Sequence, residues 1–247
     1  MDKLIVKDIK KSFGEKIIIE DVNLNLKKGE LISLLGVSGV GKSTLFNIIA
    51  GISKPDEGCI LLNGKDITNT TGNVSYMLQK DLLMNHKTIL DNVALPLILK
   101  GVNKKIAREK AREHFNAFGL QGTEKNYPNQ LSGGMRQRAA FLRTYLFSEE
   151  VALLDEPFSA LDTITKAHMH SWYIDVLEEI KLSTIFITHD INEAILLSDR
   201  IYIMTGKPGS ITKEIIIKEK RPRKNEFELT EEFLKYKREI LKELGEN

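Results

Sequence analysis

Residues 36–43 read GVSGVGKS and match the spacing G-x-x-x-x-G-K-[ST]. Glycines in such a loop let backbone N–H groups wrap around a polyphosphate, Lys42 can reach the terminal phosphates, and the Ser43 hydroxyl can ligate Mg²⁺. The spacing therefore predicts a nucleotide-binding loop (P-loop). Its candidate phosphate-binding residues, with the residue that follows the loop, are Gly36, Ser38, Gly39, Gly41, Lys42, Ser43 and Thr44.

An acidic pair, Asp155 and Glu156, ends the apolar run VALLDEP. A buried strand of a parallel sheet delivers such carboxylates to the edge of the sheet where phosphates bind. In that position Asp155 would hold Mg²⁺, largely through water, and Glu156 would polarise an attacking water molecule. With the P-loop, the pair predicts hydrolysis of a nucleotide phosphate.

The stretch 131–138, LSGGMRQR, places Ser132, Gly133 and Gly134 at a turn that opens into a helix. Backbone N–H groups are free at a helix start, and a small hydroxyl stands beside them. Such a turn is a candidate site for an anion, phosphate in particular.

Alternating strands and helices must position these residues. GELISLLG is a short buried strand that runs into the P-loop, and the residues behind the loop fit a helix ended by Gly51. Next come the strand VALLDEP, a helix from about 162 to 181, the strand STIFITH, another helix and the strand RIYIMT. This alternation implies a parallel sheet with crossover helices. KLIVKDI and KIIIEDVNLNL, separated by the turn SFGEK, predict an antiparallel N-terminal layer.

The remaining segments divide the chain further. After the turn-rich span SKPDEG to NGKDITNTTGN and the strand VSYML, the pattern from about 88 to 147 is almost wholly helical. We predict one domain over residues 1–247, with a helical subdomain at 81–150 and, at 218–247, a basic linker followed by an amphipathic helix. The run KEKRPRK at 218–224 is either a contact with anionic lipid or a solvated linker. The final helix either packs on its own domain or binds a regulator.

Composition excludes several classes of protein. The formal charge of +2, from 36 basic and 34 acidic residues, gives no general affinity for nucleic acid, so we expect no nucleic-acid partner. The single Cys59 cannot form an internal disulfide or a cysteine metal cluster, and a reducing cytoplasm is its natural setting. No apolar run approaches the roughly 18–20 residues of a membrane span, and the charged N-terminus has no signal-peptide core.

LSGGMRQR, the P-loop and LLDEP together resemble the motifs of the ATP-binding cassette (ABC) ATPases, in which LSGGMRQR corresponds to the signature motif. The resemblance covers about residues 3–217. It implies that Gln79 in YMLQ is the Q-loop glutamine, that SALD, ending at Asp162, is the D-loop, and that His189 in ITHD is the switch histidine. Phe13 stands where the family has an aromatic residue that stacks on adenine. The implied fold is α/β: a P-loop NTPase core with a mostly parallel sheet, an N-terminal antiparallel β layer and an inserted helical subdomain.

The resemblance also implies the chemistry, which is ATP plus water to ADP and phosphate with Mg²⁺. The implied catalytic residues are Glu156, His189 and Gln79, and the implied Mg²⁺ ligands are Ser43, Gln79 and Asp155. Ser132, Gly133, Gly134 and Asp162 would bind the ATP held by the P-loop of a second copy, so that two chains enclose two nucleotides across a two-fold interface. Met135 departs from many family members, which have glutamine there.

Three classes of function compete at this point. The signature motif and SALD exclude a P-loop kinase or GTPase. A soluble ABC-type ATPase without a transporter stays as the alternative, although the sequence has no long coiled-coil insertion, tandem cassette or basic excess. The chain resembles the nitrate/sulfonate/taurine-type importer subfamily in the segments LDNVALPLIL, DEPFSALD, THDINEAILLSDRIYIM and GKPGSI. Importers of a thiamine-precursor pyrimidine look similar.

That resemblance implies a peripheral subunit at the cytoplasmic face of the cell membrane. Its partners would be transmembrane permease subunits and, indirectly, an extracytoplasmic solute-binding protein. The stretch KDLLMNHKT after Gln79 lacks the Pro-Trp often found there in the subfamily, at the point where the permease should dock.

Overall fold

The computed structural model describes residues 2–148, 150–223 and 225–245. Five residues of the predicted segments lie outside the described residues: Met1, Glu149, Lys224 of the basic run, and Glu246 and Asn247 of the tail. None of the helices in the described ranges is long and apolar enough to cross a bilayer.

The strands form two sheets. They are β1 (Asp2–Phe13), β2 (Lys16–Lys27), β3 (Leu31–Leu35), β4 (Glu57–Leu62), β5 (Lys65–Asp66), β6 (Ser75–Met77), β7 (Val151–Asp155), β8 (Ser183–Thr188), β9 (Arg200–Thr205) and β10 (Ser210–Ile216). One sheet has the order β2-β1-β4-β5 and is antiparallel. The other has the order β10-β9-β3-β8-β7-β6 and is parallel except for β10, which pairs antiparallel with β9.

The helices follow the predicted alternation. They are α1 (Lys42–Ile49), α2 (Ile89–Leu99), α3 (Lys104–Glu113), α4 (Gly133–Phe147), α5 (Thr163–Ile180), α6 (Ile191–Leu197) and α7 (Glu231–Leu244). The α/β core, the antiparallel N-terminal layer and the helices inserted between β6 and β7 confirm the predicted fold class. The exact subdomain boundaries 81–150 and 218–247 stay predictions.

The parallel sheet separates two apolar cores because neighbouring residues of a strand point to opposite faces. In β3, Ile32 and Leu34 belong to the core shared with α1 and the N-terminal sheet, whereas Leu31 and Leu35 belong to the core shared with the later helices. All five residues of β3 are buried. The strand that leads into the P-loop is therefore fixed from both sides.

Three strands are absent from the sequence-based prediction. β4 and β5 lie in the span that we interpreted as turns, and β10 follows the last predicted strand. Strand β4 is short, and its apolar residues are consecutive in the sequence, so they give little period-two signal. It is stabilised instead by antiparallel pairing with β1.

The basic linker packs on the core. Arg223 Nη1 donates to the carbonyl oxygens of Ile195, Leu196 and Ser198 at 3.0, 3.1 and 2.7 Å, at the carboxyl end of α6. Arg221 forms a two-point ion pair with Asp199, with both N···O distances at 2.9 Å. These two arginines therefore match neither the lipid-contact nor the solvated-linker interpretation. The final helix, α7, packs on its own domain through the buried Phe233 and Ile240.

Candidate nucleotide-binding and hydrolysis site

The P-loop joins β3 to α1 and has a backbone that requires glycine. Gly39 and Gly41 have φ angles of 78° and 114°, in the left-handed region that side chains disfavour. A Cβ on Gly36 would lie 2.4 Å from the carbonyl oxygen of Met204. Gly41 caps α1 without a side-chain hydrogen bond, so the N–H groups at this helix start have no side-chain acceptor from the cap. The loop thus has the form of an anion site.

Lys42 is folded over the loop. Its Nζ donates to the carbonyl oxygens of Gly36 and Val37 at 2.6 and 2.9 Å, and the residue is 7% exposed. Burial lowers the pKa of Lys42, while the carboxylates of Glu156 and Asp155 act in the opposite direction. Because both present acceptors are neutral carbonyls, phosphate oxygens would be stronger partners for this ammonium group.

The structure brings the P-loop and the acidic pair to one pocket of about 210 Å³. Its lining residues are Ile18, Ser38, Gly39, Gly41, Lys42, Ser43, Thr44, Asp155, Glu156 and Ile187. Loop amides, an ammonium group and two carboxylates therefore face the same space, as the sequence predicts.

Asp155 ends β7 beside the start of α1. Its Oδ2 accepts hydrogen bonds from Ser43 Oγ at 3.3 Å and from Tyr76 Oη at 3.4 Å. Burial raises the pKa of Asp155, the Ser43 hydrogen bond opposes this, and the nearby Glu156 carboxylate raises it further. Tyr76, which lies on β6, is not predicted as a site residue from the sequence. Its only signal was the apolar strand VSYML, because the pairing of β6 with β7 cannot be seen in the sequence.

Glu156 is held between the two polar side chains predicted to act with it. Its Oε2 accepts a hydrogen bond from Gln79 Nε2 at 3.1 Å, and its Oε1 lies 3.2 Å from His189 Nδ1. Ser159 Oγ bridges the same group, since it accepts from Gln79 Nε2 and donates to the Glu156 carbonyl. Glu156 has φ 46°, and such backbone strain in a non-glycine residue is concentrated at functional sites. The structure thus joins Gln79, Glu156 and His189.

Phe13 lies apart from this pocket, at the end of β1. Its side chain is 57% exposed, and Lys11 Nζ lies 5.4 Å from the centre of its ring. Phe13 is therefore not a core residue. An exposed ring is available for stacking, although it is absent from the residues that line the P-loop pocket.

The signature turn and the D-loop residue do not line the P-loop pocket in the part of the chain that the structure describes. Ser132 caps α4 by accepting from the N–H of Met135 at 3.3 Å, and Asp162 caps α5 by accepting from the N–H of Thr165 at 3.0 Å. Gly133 and Gly134 open α4, where a Cβ on Gly134 would lie 3.2 Å from Thr165 Cγ2. Ser132 and Asp162 are exposed, Gly133 is partly exposed and Gly134 is buried, and all four lie outside the lining of the P-loop pocket.

A mostly parallel sheet with a P-loop between β3 and α1, and with carboxylates at the end of β7, defines a P-loop NTPase. Residues 19–159 match the family described as ABC transporter, and the chain belongs to this family. It is an ATP-binding cassette ATPase, which confirms the resemblance found in the sequence.

Several curated relatives are named as ATP-binding components of importers. The chain is 48% identical to the formylaminopyrimidine import ATP-binding protein ThiZ of Halalkalibacterium halodurans, over 77% of this chain and 74% of that protein. It is 40% identical to the aliphatic sulfonates import ATP-binding protein SsuB of Bacillus cereus, over 94% of this chain and 91% of that protein. It is 35% identical to the nitrate import ATP-binding protein NrtD of Synechocystis, over 92% of this chain and 88% of that protein.

Solved cassettes have the same fold. The dimeric bacterial ABC transporter cassette MJ0796 is 31% identical, with a TM-score of 0.73, and the match covers 88% of this chain and all of that one. A dimer of the same cassette in a post-hydrolysis state, bound to ADP and phosphate, is 32% identical with a TM-score of 0.73 and the same coverage.

Proposed function

We propose that this cassette is the ATP-hydrolysing subunit of an importer for a small anionic or heteroaromatic solute. The solutes in the names of the relatives are formylaminopyrimidine, aliphatic sulfonates and nitrate. These names support an anionic or heteroaromatic solute. The cassette would work as a peripheral subunit at the cytoplasmic face of the membrane.

The contact of Glu156 with both Gln79 and His189 carries the hydrolytic part of the proposal. A carboxylate that lines the P-loop pocket can accept a proton from water and orient that water toward the terminal phosphate. His189 can donate to that phosphate from the same side. Lys42 and the loop amides hold the phosphates, and the exposed ring of Phe13 stacks on adenine.

Mg²⁺ fits the oxygen groups beside the pocket. Ser43 Oγ and Asp155 Oδ2 lie 3.3 Å apart, and hydroxyl and carboxylate oxygens are suitable ligands for this hard cation. Bound there with Gln79 nearby, Mg²⁺ would neutralise charge on the phosphates. Burial raises the pKa of Asp155, and Mg²⁺ bound beside this carboxylate would lower it.

A second copy would complete the site. Ser132, Gly133, Gly134 and Asp162 present helix starts on a surface away from the P-loop pocket, where they could face the ATP of a partner chain. The dimeric cassette structures support this arrangement. Each chain then contributes half of two ATP sites.

An apolar groove supports the permease partnership. It has a volume of about 420 Å³ and lies between the end of α1, the segment after Gln79, and α2. Ile52, Leu82 and Leu99 line it and are 64%, 55% and 76% exposed. Such clustered apolar exposure marks a protein-binding surface. A permease seated there would receive solute from an extracytoplasmic binding protein.

Transport by proteoliposomes that contain the chain with a candidate permease and its solute-binding protein tests the proposal. We expect ATP-dependent solute uptake, which Leu99→Glu abolishes by placing a charge in the groove while leaving the ATPase activity of the free cassette unchanged. The matched control is Leu229→Glu, at a residue that is 85% exposed and lies outside the groove. Uptake that is independent of the cassette, or unaffected by Leu99→Glu, would contradict the proposed coupling.

A further inference from the structure

A carboxylate outside the P-loop pocket is buried where α5, α6 and the end of β8 meet. Glu193, near the start of α6, is 5% exposed. Its Oε2 accepts a hydrogen bond from Thr188 Oγ1 at 2.6 Å, and its Oε1 lies 2.9 Å from Lys166 Nζ. A buried charge is costly unless it is paired, so these contacts specify how the three elements meet.

The same carboxylate fixes the backbone on both sides of His189. Thr188, the preceding residue, is 2% exposed, and its Oγ1 also accepts a hydrogen bond from the N–H of Asp190 at 3.0 Å. Asp190 Oδ1 in turn accepts from the N–H of Glu193 at 3.2 Å. The two neighbours of His189 are therefore tied to Glu193, while the His189 ring extends to Glu156.

Lys166 links this arrangement to α5, the helix that begins at the D-loop. Its Nζ lies 3.5 Å from Asp190 Oδ2 in addition to its ion pair with Glu193. One ammonium group thus contacts both carboxylates that organise the start of α6. Because these ion pairs join α5 to the start of α6, a displacement of α5 would also displace the loop that carries His189.

A second contact from α5 returns to the loop of the acidic pair. One helical turn after Lys166, His170 Nε2 lies 3.5 Å from Glu193 Oε1. The His170 ring packs edge-on against Phe158, with 4.7 Å between ring centres. Phe158 is two residues from Glu156. The contacts therefore connect the His189 loop and the Glu156 loop through α5 as well as through the site itself.

Glu193 keeps its charge at the pH of the cell. Burial raises the pKa of Glu193, but the contacts with His170, Thr188 and Lys166 lower it more strongly, to about 2. Glu193 and Lys166 are therefore both charged in this ion pair.

We propose that Glu193, with Thr188 and Lys166, positions His189 against Glu156 and couples that placement to α5. The inference rests on the proposed roles of His189 and Glu156 in hydrolysis. None of the three residues lines the P-loop pocket in the described part of the chain, so they act through His189 rather than on the nucleotide.

Thr188→Val is the first test, because it keeps the shape of the side chain and removes both hydrogen bonds of its hydroxyl. We expect kcat for ATP to fall by about tenfold to a hundredfold, the scale of a small misplacement of a catalytic group, with KM for ATP nearly unchanged. Thr188→Ser, which keeps the hydroxyl, should restore kcat. Thr184→Val is the matched control, since it deletes a buried hydroxyl from the same strand, away from His189.

Lys166→Met keeps the proposal testable if Thr188→Val does not fold. The Lys166 side chain is 25% exposed, and methionine preserves much of its length. We expect kcat to fall with KM retained, and Lys166→Arg to recover it, because arginine restores a cation at Glu193. Equal losses of kcat in Thr188→Val and Thr184→Val, or a wild-type kcat in both Thr188→Val and Lys166→Met, would overturn the proposal.

His189→Ala separates this inference from the function on which it rests. If His189→Ala loses turnover while folded Thr188→Val and Lys166→Met keep it, the positioning role is wrong and the hydrolytic role of His189 stands. If His189→Ala itself keeps wild-type turnover, both the hydrolytic role and the positioning role are wrong. Loss of turnover in His189→Ala, Thr188→Val and Lys166→Met, with rescue by Thr188→Ser and Lys166→Arg, supports the hydrolytic role and the positioning role together.

Discussion

At the scale of single residues, Glu156 is the group on which hydrolysis should depend most. Glu156→Gln removes a charge and little volume, and it leaves Lys42 and the P-loop amides in place. We expect ATP binding to be retained and kcat to fall by about a hundredfold, the loss typical of removing one general base.

Equilibrium binding of ATP and steady-state phosphate release would measure these two effects separately. Glu232→Gln, at an exposed position on α7, is the control for loss of a carboxylate from the surface. A Glu156→Gln protein that hydrolyses ATP at nearly the wild-type rate would show that another group activates the water.

The sequence predicts the individual residues of this site where the signal is local. The P-loop spacing and the acids that end β7 each lie within one short segment, so their residue types alone indicate their chemistry. Tyr76 and Ser159 could not be predicted as parts of the site in the same way. Their contacts with Asp155 and Glu156 depend on which strands are neighbours and on the path of the chain after β7.

At the scale of elements, the junction of α5, α6 and β8 should stabilise the fold in a pH-dependent way. Because the pKa of Glu193 falls from about 4.5 to about 2 on folding, its ionised form stabilises the native state above pH 4.5. The contribution is on the order of 3 kcal/mol, and it is lost as the pH falls from about 4.5 through about 2.

Glu193→Gln should therefore lower the free energy of unfolding at pH 7. The difference from the wild type should shrink to roughly half by pH 3, because the carboxylate then binds a proton in the unfolded state while it stays mostly ionised in the native state. Urea unfolding at several pH values between 7 and 3 would measure it. A difference that stays constant across this range would show that the charge of Glu193 is not what stabilises the junction.

Elements with a strong apolar pattern are predictable from the sequence, and those held by distant partners are not. The fully buried β3 and β8 consist mostly of apolar and β-branched residues, which is a strong local signal for a strand. The short β4 depends on pairing with β1, and the fixed position of the basic linker depends on carbonyl groups at the end of α6 that bind Arg223. Such contacts join segments far apart in the chain, so local composition does not reveal them.

At the scale of the whole molecule, the chain presents the P-loop pocket and the signature turn as separate surfaces. Ser132 is exposed at the start of α4, whereas Lys42 is buried in the pocket. If these surfaces meet only between two copies, a monomer holds half of each ATP site. This is the central claim about the molecule, and it makes activity depend on association.

The dependence of ATPase activity on protein concentration tests this claim most directly. Activity per molecule should fall on dilution as dimers dissociate, because the active species forms by mass action. Light scattering on the same samples in the presence of ATP should show monomers appear over the same concentration range. Full activity per molecule at concentrations where light scattering detects only monomers would contradict the account.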